Sequence, residues 1–338
     1  MKAKLKQSHR SILCLSITLL AVMFISFFLG RLSITPEQLL GILSAPLTGA
    51  SPFWTAQQES IVLYSRLPRI LLAVMVGACL STAGASYQGI FQNPMAAPDI
   101  LGASAGAAFG ASLAIINGWN GALIMLSAFF FSMVTVLVVY IISRMAKGDQ
   151  TLGLVLSGIM ISSLFSAGTS FIKLVADTQT QLPAITYWLM GSLNGSTMAD
   201  VRFAAFPMLL GMIPLFLIRW RINVLSIGDT EALTMGVDVR MVRFIVIVCS
   251  TLMTAASVAV SGMIGWVGLV IPHLSRRLVG NDYRSLIPVT MLLGGCFLLV
   301  VDDISRNLLS TELPLGILNA VIGVPFFIYL LLRREGLQ

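Results

Sequence analysis

Few residues in this chain of 338 carry side chains that commonly perform chemistry. Its two histidines are His9, in a basic N-terminal segment, and His273, beside Pro272, so neither a histidine metal site nor a catalytic triad is expected. No lysine follows a glycine, which excludes the Gly-Lys phosphate-binding loop of ATPases. Because no paired acids and no nucleophile–base set are visible, we predict no catalytic residue, no metal and no cofactor bound by this chain.

Hydroxyl groups form a stripe on one apolar segment. Four of them fall at i, i+4, i+7 and i+8, a spacing that places them on one side of a helix. They are Ser162, Ser166, Thr169 and Ser170. Such a stripe either bonds to a neighbouring helix or lines an aqueous translocation path, and the sequence leaves both interpretations open.

The composition assigns the elements that carry these residues to a membrane. The chain is 57% hydrophobic and 10% charged, whereas soluble domains are about 45–50% apolar and about 25% charged. A spanning helix uses about 20 residues, so ten spans leave about 138 residues for loops and tails. We therefore predict one all-α integral membrane domain over residues 1–338, a compact bundle of about ten transmembrane helices.

Apolar runs predict where these spans lie. The first, Ile12–Leu29, follows a basic segment as a signal peptide does, but it lacks a small-residue cleavage site and is interpreted as a retained helix. The other nine are predicted at 70–91, 100–116, 122–142, 152–175, 203–218, 242–260, 264–279, 286–301 and 314–332. A stretch at Ala184–Leu193 is too short to cross and is predicted to lie at the outer surface.

Basic residues predict the orientation, because cytoplasmic loops of membrane proteins are rich in lysine and arginine. Fifteen of the 21 basic residues fall in segments that this topology places inside. These are Lys2, Lys4, Lys6, Arg10, Arg144, Lys147, Arg219, Arg221, Arg240, Arg243, Arg276, Arg277, Arg284, Arg333 and Arg334. The six outside are Arg31, Arg66, Arg69, Lys173, Arg202 and Arg306. Both termini are thus predicted to be cytoplasmic, and the net charge of +7 reflects orientation in a lipid bilayer rather than a nucleic-acid partner.

Two patterns inside the spans bear on the function. Small residues recur every fourth position, at Ala73, Gly77, Ser81, Ala85 and Gly89 and again at Gly102, Gly106 and Gly110, which predicts close helix packing. No Asp, Glu or Arg is placed at mid-span, since Lys173 and Asp302 fall near helix ends. Ion-coupled carriers usually keep ionisable groups near the midplane, so uphill transport would need another subunit to supply the energy.

Four ordered motifs go beyond composition. They are Arg66-Leu67-Pro68-Arg69 with the later segment QNPMAAPDILG at 92–102; IGDTEALTMGV at 227–237; GWVGLVIPH at 265–273, followed by Arg276 and Arg277; and Asp302 and Arg306 with ELPLG at 312–316 and Gly323-Val324-Pro325.

Together these motifs resemble the FecCD-type iron-chelate and cobalamin permease family, the membrane subunits of type II ABC importers. The resemblance runs from about Arg66 to Arg334. It implies ten helices per subunit and a homodimer with the passage on its two-fold axis. It also implies two cytoplasmic ABC ATPase subunits that use ATP and Mg²⁺, an extracytoplasmic substrate-binding protein, and a bacterial or archaeal cytoplasmic (inner) membrane.

The second motif lies in the longest basic cytoplasmic loop, about residues 222–241. There Gly236 allows a sharp reversal between two short helices. By resemblance this loop fits a groove on the ATPase, and the coupling residues would be Asp229, Glu231, Ala232, Leu233, Gly236 and Arg240. From the residues alone an ordinary solvated loop is the alternative.

Three outer arginines, Arg66, Arg69 and Arg306, either anchor helix ends at lipid headgroups or, as the resemblance implies, face acidic residues of the binding protein. Guanidinium groups suit the second task because they stay charged and bind carboxylates at two points.

The turn Ser143–Leu152 has a family counterpart that narrows the cytoplasmic exit, so the resemblance implies a gate at Gln150, Thr151 and Leu152. Helix-breaking prolines near span ends in both halves are consistent with an inverted repeat of spans 2–5 and 7–10. These prolines are Pro94, Pro98, Pro272, Pro314 and Pro325.

The function implied by the resemblance is import of a metal chelate of the ferric siderophore, haem or cobalamin class. Family frequency, and no residue, favours an iron chelate. A molybdate or tungstate importer of the same architecture is the alternative, and a standalone secondary carrier is the rival from another class.

Overall fold

The computed structural model describes residues 2–30, 32–48, 53–146, 150–309 and 311–332. All the regular structure in these ranges is helical. The helices are α1 Lys2–Ser26, α2 Pro36–Thr48, α3 Ala56–Ser60, α4 Leu67–Ile90, α5 Ala103–Ile116, α6 Gly121–Met145, α7 Gln150–Val175, α8 Gln181–Met190, α9 Met198–Leu225, α10 Asp229–Thr234, α11 Val239–Ser261, α12 Val267–Val279, α13 Tyr283–Asn307 and α14 Leu315–Leu332.

Seven helical segments in the described residues are long and apolar enough to cross a membrane. They are Ser8–Ser26, Ala56–Ile90, Gly121–Met145, Thr151–Val175, Met198–Leu225, Val239–Ser261 and Tyr283–Asn307. Helices α5, α12 and α14 occupy the other three predicted spans and are shorter. At 1.5 Å per residue, the 14 residues of α5 and the 13 of α12 reach about 20 Å each, less than the hydrocarbon core. The all-helical membrane bundle is thus confirmed, with three short elements among its ten predicted spans.

The second span begins earlier than predicted. A continuous helix of 35 residues runs over Ala56–Ile90, and its start is fixed by a capping box in which Thr55 and Gln58 satisfy each other's backbone groups. Pro68 lies inside this helix, preceded by a π-helical segment at Ile61–Arg66. A wider turn accommodates a proline, which has no N–H and crowds the carbonyl four residues back. The sequence prediction ended this span at the arginines and missed both the extension and α2.

The prolines divide into two groups. Pro94 and Pro98 lie in the loop before α5, and Pro314 directly precedes α14, as expected of helix breakers. Pro272 and Pro325, however, lie inside α12 and α14. The prediction that they break helices is wrong at those two positions, and the inverted repeat stays a prediction. The short stretch predicted at the outer surface forms α8.

Helix α4 is the buried axis of the bundle, packed against α9, α11, α12 and α13. Glycines bring the backbones into contact, as the small-residue pattern predicted. A Cβ added at Gly77 would lie 2.2 Å from the carbonyl oxygen of Gly294, and one at Gly84 would lie 1.9 Å from that of Gly268. Both distances are far below van der Waals contact, so these crossings admit only glycine.

We expect Gly84→Ala to destabilise the protein by about 1–3 kcal/mol, because the added methyl group forces α4 and α12 apart. Gly121→Ala is the matched control, since a Cβ there meets no atom within 4 Å. Thermal unfolding of the detergent-solubilised chain measures both. An unchanged midpoint for Gly84→Ala would show that the crossing is not tightly packed.

Candidate functional site

A knob formed by residues 227–240 protrudes at the end of the bundle where α9 stops and α11 starts. Helix α10 ends in a Schellman motif: the N–H of Val237 donates to the carbonyl of Ala232 and that of Gly236 to the carbonyl of Leu233. Gly236 has φ +76°, so the predicted reversal occurs at this residue. The expectation of two short helices is wrong, because the chain passes from α10 directly into the long α11, whose N-terminus Asp238 caps.

One ion pair fixes the base of the knob. The guanidinium of Arg243, on α11, donates to both carboxylate oxygens of Asp229 at 3.1 Å, and Ala232 is fully buried beneath α10. The tip is different, because Ile227, Leu233 and Met235 are each more than half exposed. An exposed apolar cluster beside the charged residues Glu231 and Arg240 is typical of a protein contact surface rather than a solvated loop.

The opposite end of the bundle contains a buried charge cluster. Arg69, on α4, donates from Nε and Nη2 to Asp302 at 2.9–3.1 Å and from Nη1 to both carboxylate oxygens of Glu312 at 3.0 Å. The side chain of Asp302 is fully buried and that of Arg69 is 8% exposed. Two fork-like contacts on one guanidinium hold α4, α13 and the segment before α14 together.

Arg306 and Arg66 complete this cluster. Arg306 pairs with Asp303 on its own helix and donates to the hydroxyl of Ser26 at 2.5 Å, which links α13 to the end of α1. Arg66 donates to the carbonyl oxygens of Phe27 and Leu32, the second at 2.6 Å. Arg69 and Arg306 therefore face the carboxylates of Asp302, Asp303 and Glu312, whereas Arg66 is held by carbonyl oxygens. The cluster holds three positive and three negative formal charges.

The sequence prediction treated the three outer arginines as free cations, and the structure gives each of them partners within the chain. Docking of a binding protein at these residues stays a prediction. A cavity of about 620 Å³ does open onto the cluster, lined among others by Arg66, Arg69, Arg306 and Glu312. Asp302 and Glu312 belong to the fourth sequence motif. The presence of these acids in the same set of motifs as the arginines was the sequence feature that could have predicted the ion pairs with Arg69.

The hydroxyl stripe is divided between two environments. Ser162 packs against Gly102, where a Cβ would lie 2.3 Å from its Oγ, and Thr169 is buried, whereas Ser166 and Ser170 are exposed. The hydroxyls of Ser162, Thr169 and Ser170 donate to carbonyls of α7 itself, so these bonds do not join α7 to a neighbour. A role in the translocation path stays a prediction.

The residues predicted to form the gate begin α7. Gln150, Thr151 and Leu152 are in its first turn, close in space to the end of α6, and Leu152 is more than half exposed. Residues 147–149 of the preceding turn lie outside the described ranges, as do Arg31, Arg333 and Arg334. The gate stays a prediction.

A third region lies between these two ends, where the sequence placed no charge. An open cavity of about 520 Å³ is lined by residues of α4, α5, α8, α11, α12 and α14 and by the exposed Asp99. The neighbouring Pro98 packs on Gly268 of α12. Gly268 in turn lies against α4 between Leu80 and Gly84. Leu80 is about 15 Å from the end of α4, which is about half the thickness of a hydrocarbon core, so Asp99 lies near mid-depth. The prediction of no acid at mid-span is wrong, because the loop before α5 folds back into the bundle.

Comparison with known proteins identifies the family. The model of the FecCD transport family matches residues 18–333. The chain belongs to the FecCD transport family. It is 40% identical over 326 residues to the molybdate import system permease protein MolB of Haemophilus influenzae, covering 96% of each chain. It is 41% identical over 276 residues to an iron chelatin transport system permease protein of Helicobacter pylori, covering 82% of this chain and 83% of the relative.

A solved structure agrees with this assignment. A metal-chelate type ABC transporter in an inward-facing conformation has a TM-score of 0.86 and 38% identity, covering 95% of this chain and 98% of that one. The FecCD chain is therefore a multi-pass membrane protein and an ABC importer permease, as the relatives named above are permease subunits.

In this permease we expect Arg69→Gln to lower the free energy of unfolding by about 3–5 kcal/mol, because the buried carboxylate of Asp302 loses its main partner. Glu312→Gln should cost less, since the side chain of Glu312 is 25% exposed and Arg69 keeps Asp302. Thermal unfolding of both variants in detergent shows which of them loses more stability.

The exposed Arg202→Gln is the control, with an expected change within about 0.5 kcal/mol. Equal stability of Arg69→Gln and Arg202→Gln would contradict a structural role for the buried cluster.

Proposed function

We propose that this permease is the membrane subunit of an ATP-driven importer that receives a metal chelate from a binding protein and releases it into the cytoplasm. Two copies would form the passage, and two ABC ATPase subunits would supply the energy from ATP and Mg²⁺. Both termini would be cytoplasmic, in the inner membrane of a bacterium or archaeon. The observation that supports this proposal best is the knob at residues 227–240.

The knob has the properties that a coupling element needs. Its base is rigid, since Asp229 is paired with Arg243 and Ala232 is fully buried, so a force applied at the tip is passed to α11. Its tip exposes Leu233 and Met235, which a soluble partner would cover. An ATPase that closes on ATP would move this element as a unit and alternate access to the passage.

The cluster of arginines and acids would be the dock for the binding protein. Acidic residues of that protein would approach the cavity that opens onto Arg66, Arg69 and Arg306. Because Asp302, Asp303 and Glu312 already pair with Arg69 and Arg306, an incoming carboxylate would compete with one of them at these two arginines. Glu312 is the most exposed of the three carboxylates and would be displaced first.

Two candidate cargoes have support among the relatives. The iron chelatin permease and the metal-chelate type transporter favour a chelate. The molybdate permease, which covers 96% of this chain, favours an oxyanion. A standalone carrier is disfavoured, since the relatives named here belong to import systems or ABC transporters.

The knob can be tested by assembly. We expect the tagged full-length permease, purified from its own cells in mild detergent, to retain an ABC ATPase whose activity rises with ATP, Mg²⁺ and the binding protein. Leu233→Gln should reduce the retained ATPase at least tenfold, because it removes the most exposed apolar contact of α10.

Trp119→Gln provides the control, since Trp119 is an exposed apolar residue at the opposite end of the bundle. Undiminished ATPase recovery with Leu233→Gln, at normal thermal stability, would reject the knob as the coupling element. Transport by the chain alone, driven by an ion gradient in liposomes, would reject the importer itself.

A further inference from the structure

The cavity at mid-depth combines an ionisable group, Asp99, with the N-termini of two short helices, α5 and α12. Helix α5 starts beside Asp99, whose Oδ1 accepts a hydrogen bond from the backbone N–H of Ser104 at 2.7 Å. Helix α12 starts at the same cavity, with Trp266 as its N-cap residue. Both N-termini place the positive end of a helix dipole at the cavity. The N–H groups of Val267 and Leu269 already bond to the carbonyls of Gly265 and Trp266.

Two further features of the cavity indicate a ligand site. Thr254, on α11, lines the cavity, is 1% exposed, and its Oγ1 has no hydrogen-bond partner among the described residues. Trp266 adopts φ +69°, a conformation that a bulky residue rarely takes. Unpaired buried polar groups and strained backbone of this kind concentrate at functional sites.

The remaining lining is apolar. Leu80, Leu189, Met190, Ile264 and Ile317 are among these residues, and Asp99 is the one side chain with a formal charge in the set that lines the cavity. A pocket of mostly apolar surface with a few polar groups is the usual form of a small-molecule site. Without Asp99, two helix N-termini would make this cavity attractive to anions, as other helix N-termini are. The carboxylate offsets that positive potential.

We propose that Asp99 sets the charge selectivity of a cargo-contacting site in this cavity, and that the site accepts neutral or cationic chelates and rejects oxyanions. The identity of the cargo rests on the proposed import function, whereas the charge preference of the cavity does not. Thr254 would donate to an oxygen of the chelate, and the ring of Trp266 would pack against its apolar part. This assigns a substrate class within the two that the relatives leave open.

A cysteine reporter tests the charge preference. Ala320, which lines the cavity from α14, is changed to Cys in a Cys14→Ser background, because Cys14 is the exposed native cysteine among the described residues. Modification of the full-length permease by a cationic and by an anionic methanethiosulfonate of similar size is followed by mass spectrometry. The ratio of the cationic to the anionic rate should fall about tenfold in Asp99→Asn, since a charge that lines the same cavity as the reporter is removed.

Asp200→Asn is the matched control. Asp200 also accepts a hydrogen bond at a helix N-terminus, that of α9, but it lies outside the cavity, so the ratio should not change. If Asp99→Asn fails to fold, Asp99→Ser keeps a capping oxygen without the charge. An unchanged ratio in the Asp99 variant, or no reaction of Ala320→Cys with either reagent, overturns the proposal.

The same reporter tests the cargo class. A cationic ferric trihydroxamate should slow modification of Ala320→Cys, and sodium molybdate should leave it unchanged. In Asp99→Asn the trihydroxamate should lose this protection. Protection by molybdate would overturn the assigned class, as would failure of the trihydroxamate to protect. These measurements use neither ATPase nor binding protein, so their failure differs from a failure of the import function, which would appear as absent ATPase recovery.

Discussion

The close approach of α4 to α12 and α13 is the constraint on which the other features depend. Because hydrocarbon offers backbone groups no hydrogen-bond partner, the chain crosses a membrane as helices. Neighbouring helices are then held together largely by side-chain and backbone packing, and glycine allows the closest approach. Gly77 faces the backbone of α13 and Gly84 that of α12. The first contact brings Arg69 within reach of Asp302, and the second places Gly268 against Pro98 and so positions Asp99. A shift of α4 would disturb the charge cluster and the central cavity together.

Much of this arrangement could be predicted from the sequence. Apolar runs located the middle of each long helix, and the spacing of small residues identified the faces that pack, because both depend on local periodicity. Some helix ends lie well beyond the predicted bounds, as at Lys2, Ala56 and Leu225. The reversal at Gly236 followed from the conformational freedom of glycine. The ends of α3 and α4 could not be located in this way. Arg66 and Arg69 resemble the end of a span until it is known that carboxylates and carbonyl oxygens elsewhere in the chain compensate them.

The charges show why the sequence was incomplete as a guide to the site. Asp302 is 233 residues from Arg69, and no local pattern joins them. Asp99 directly precedes a predicted span, but α5 is too short to cross and begins inside the bundle. Depth in the membrane depends on where short helices start, and that is decided by tertiary packing. Topology alone therefore placed no acid at mid-depth where the folded chain has one.

The segment between α13 and α14 connects the cluster of arginines and acids to the central cavity. Glu312 binds Arg69, the N–H of Leu313 donates to the carbonyl of Ser305, and the N–H of Leu315 donates to that of Gly191 after α8. Gly316, one residue later, lines the cavity and lies close to the backbone of Met190. A carboxylate that displaced Glu312 from Arg69 would free one end of this short segment while its other end stays at the cavity wall. Glu312 and Gly316 are four residues apart, so a movement of Glu312 would reach the cavity wall through a short segment rather than a long relay.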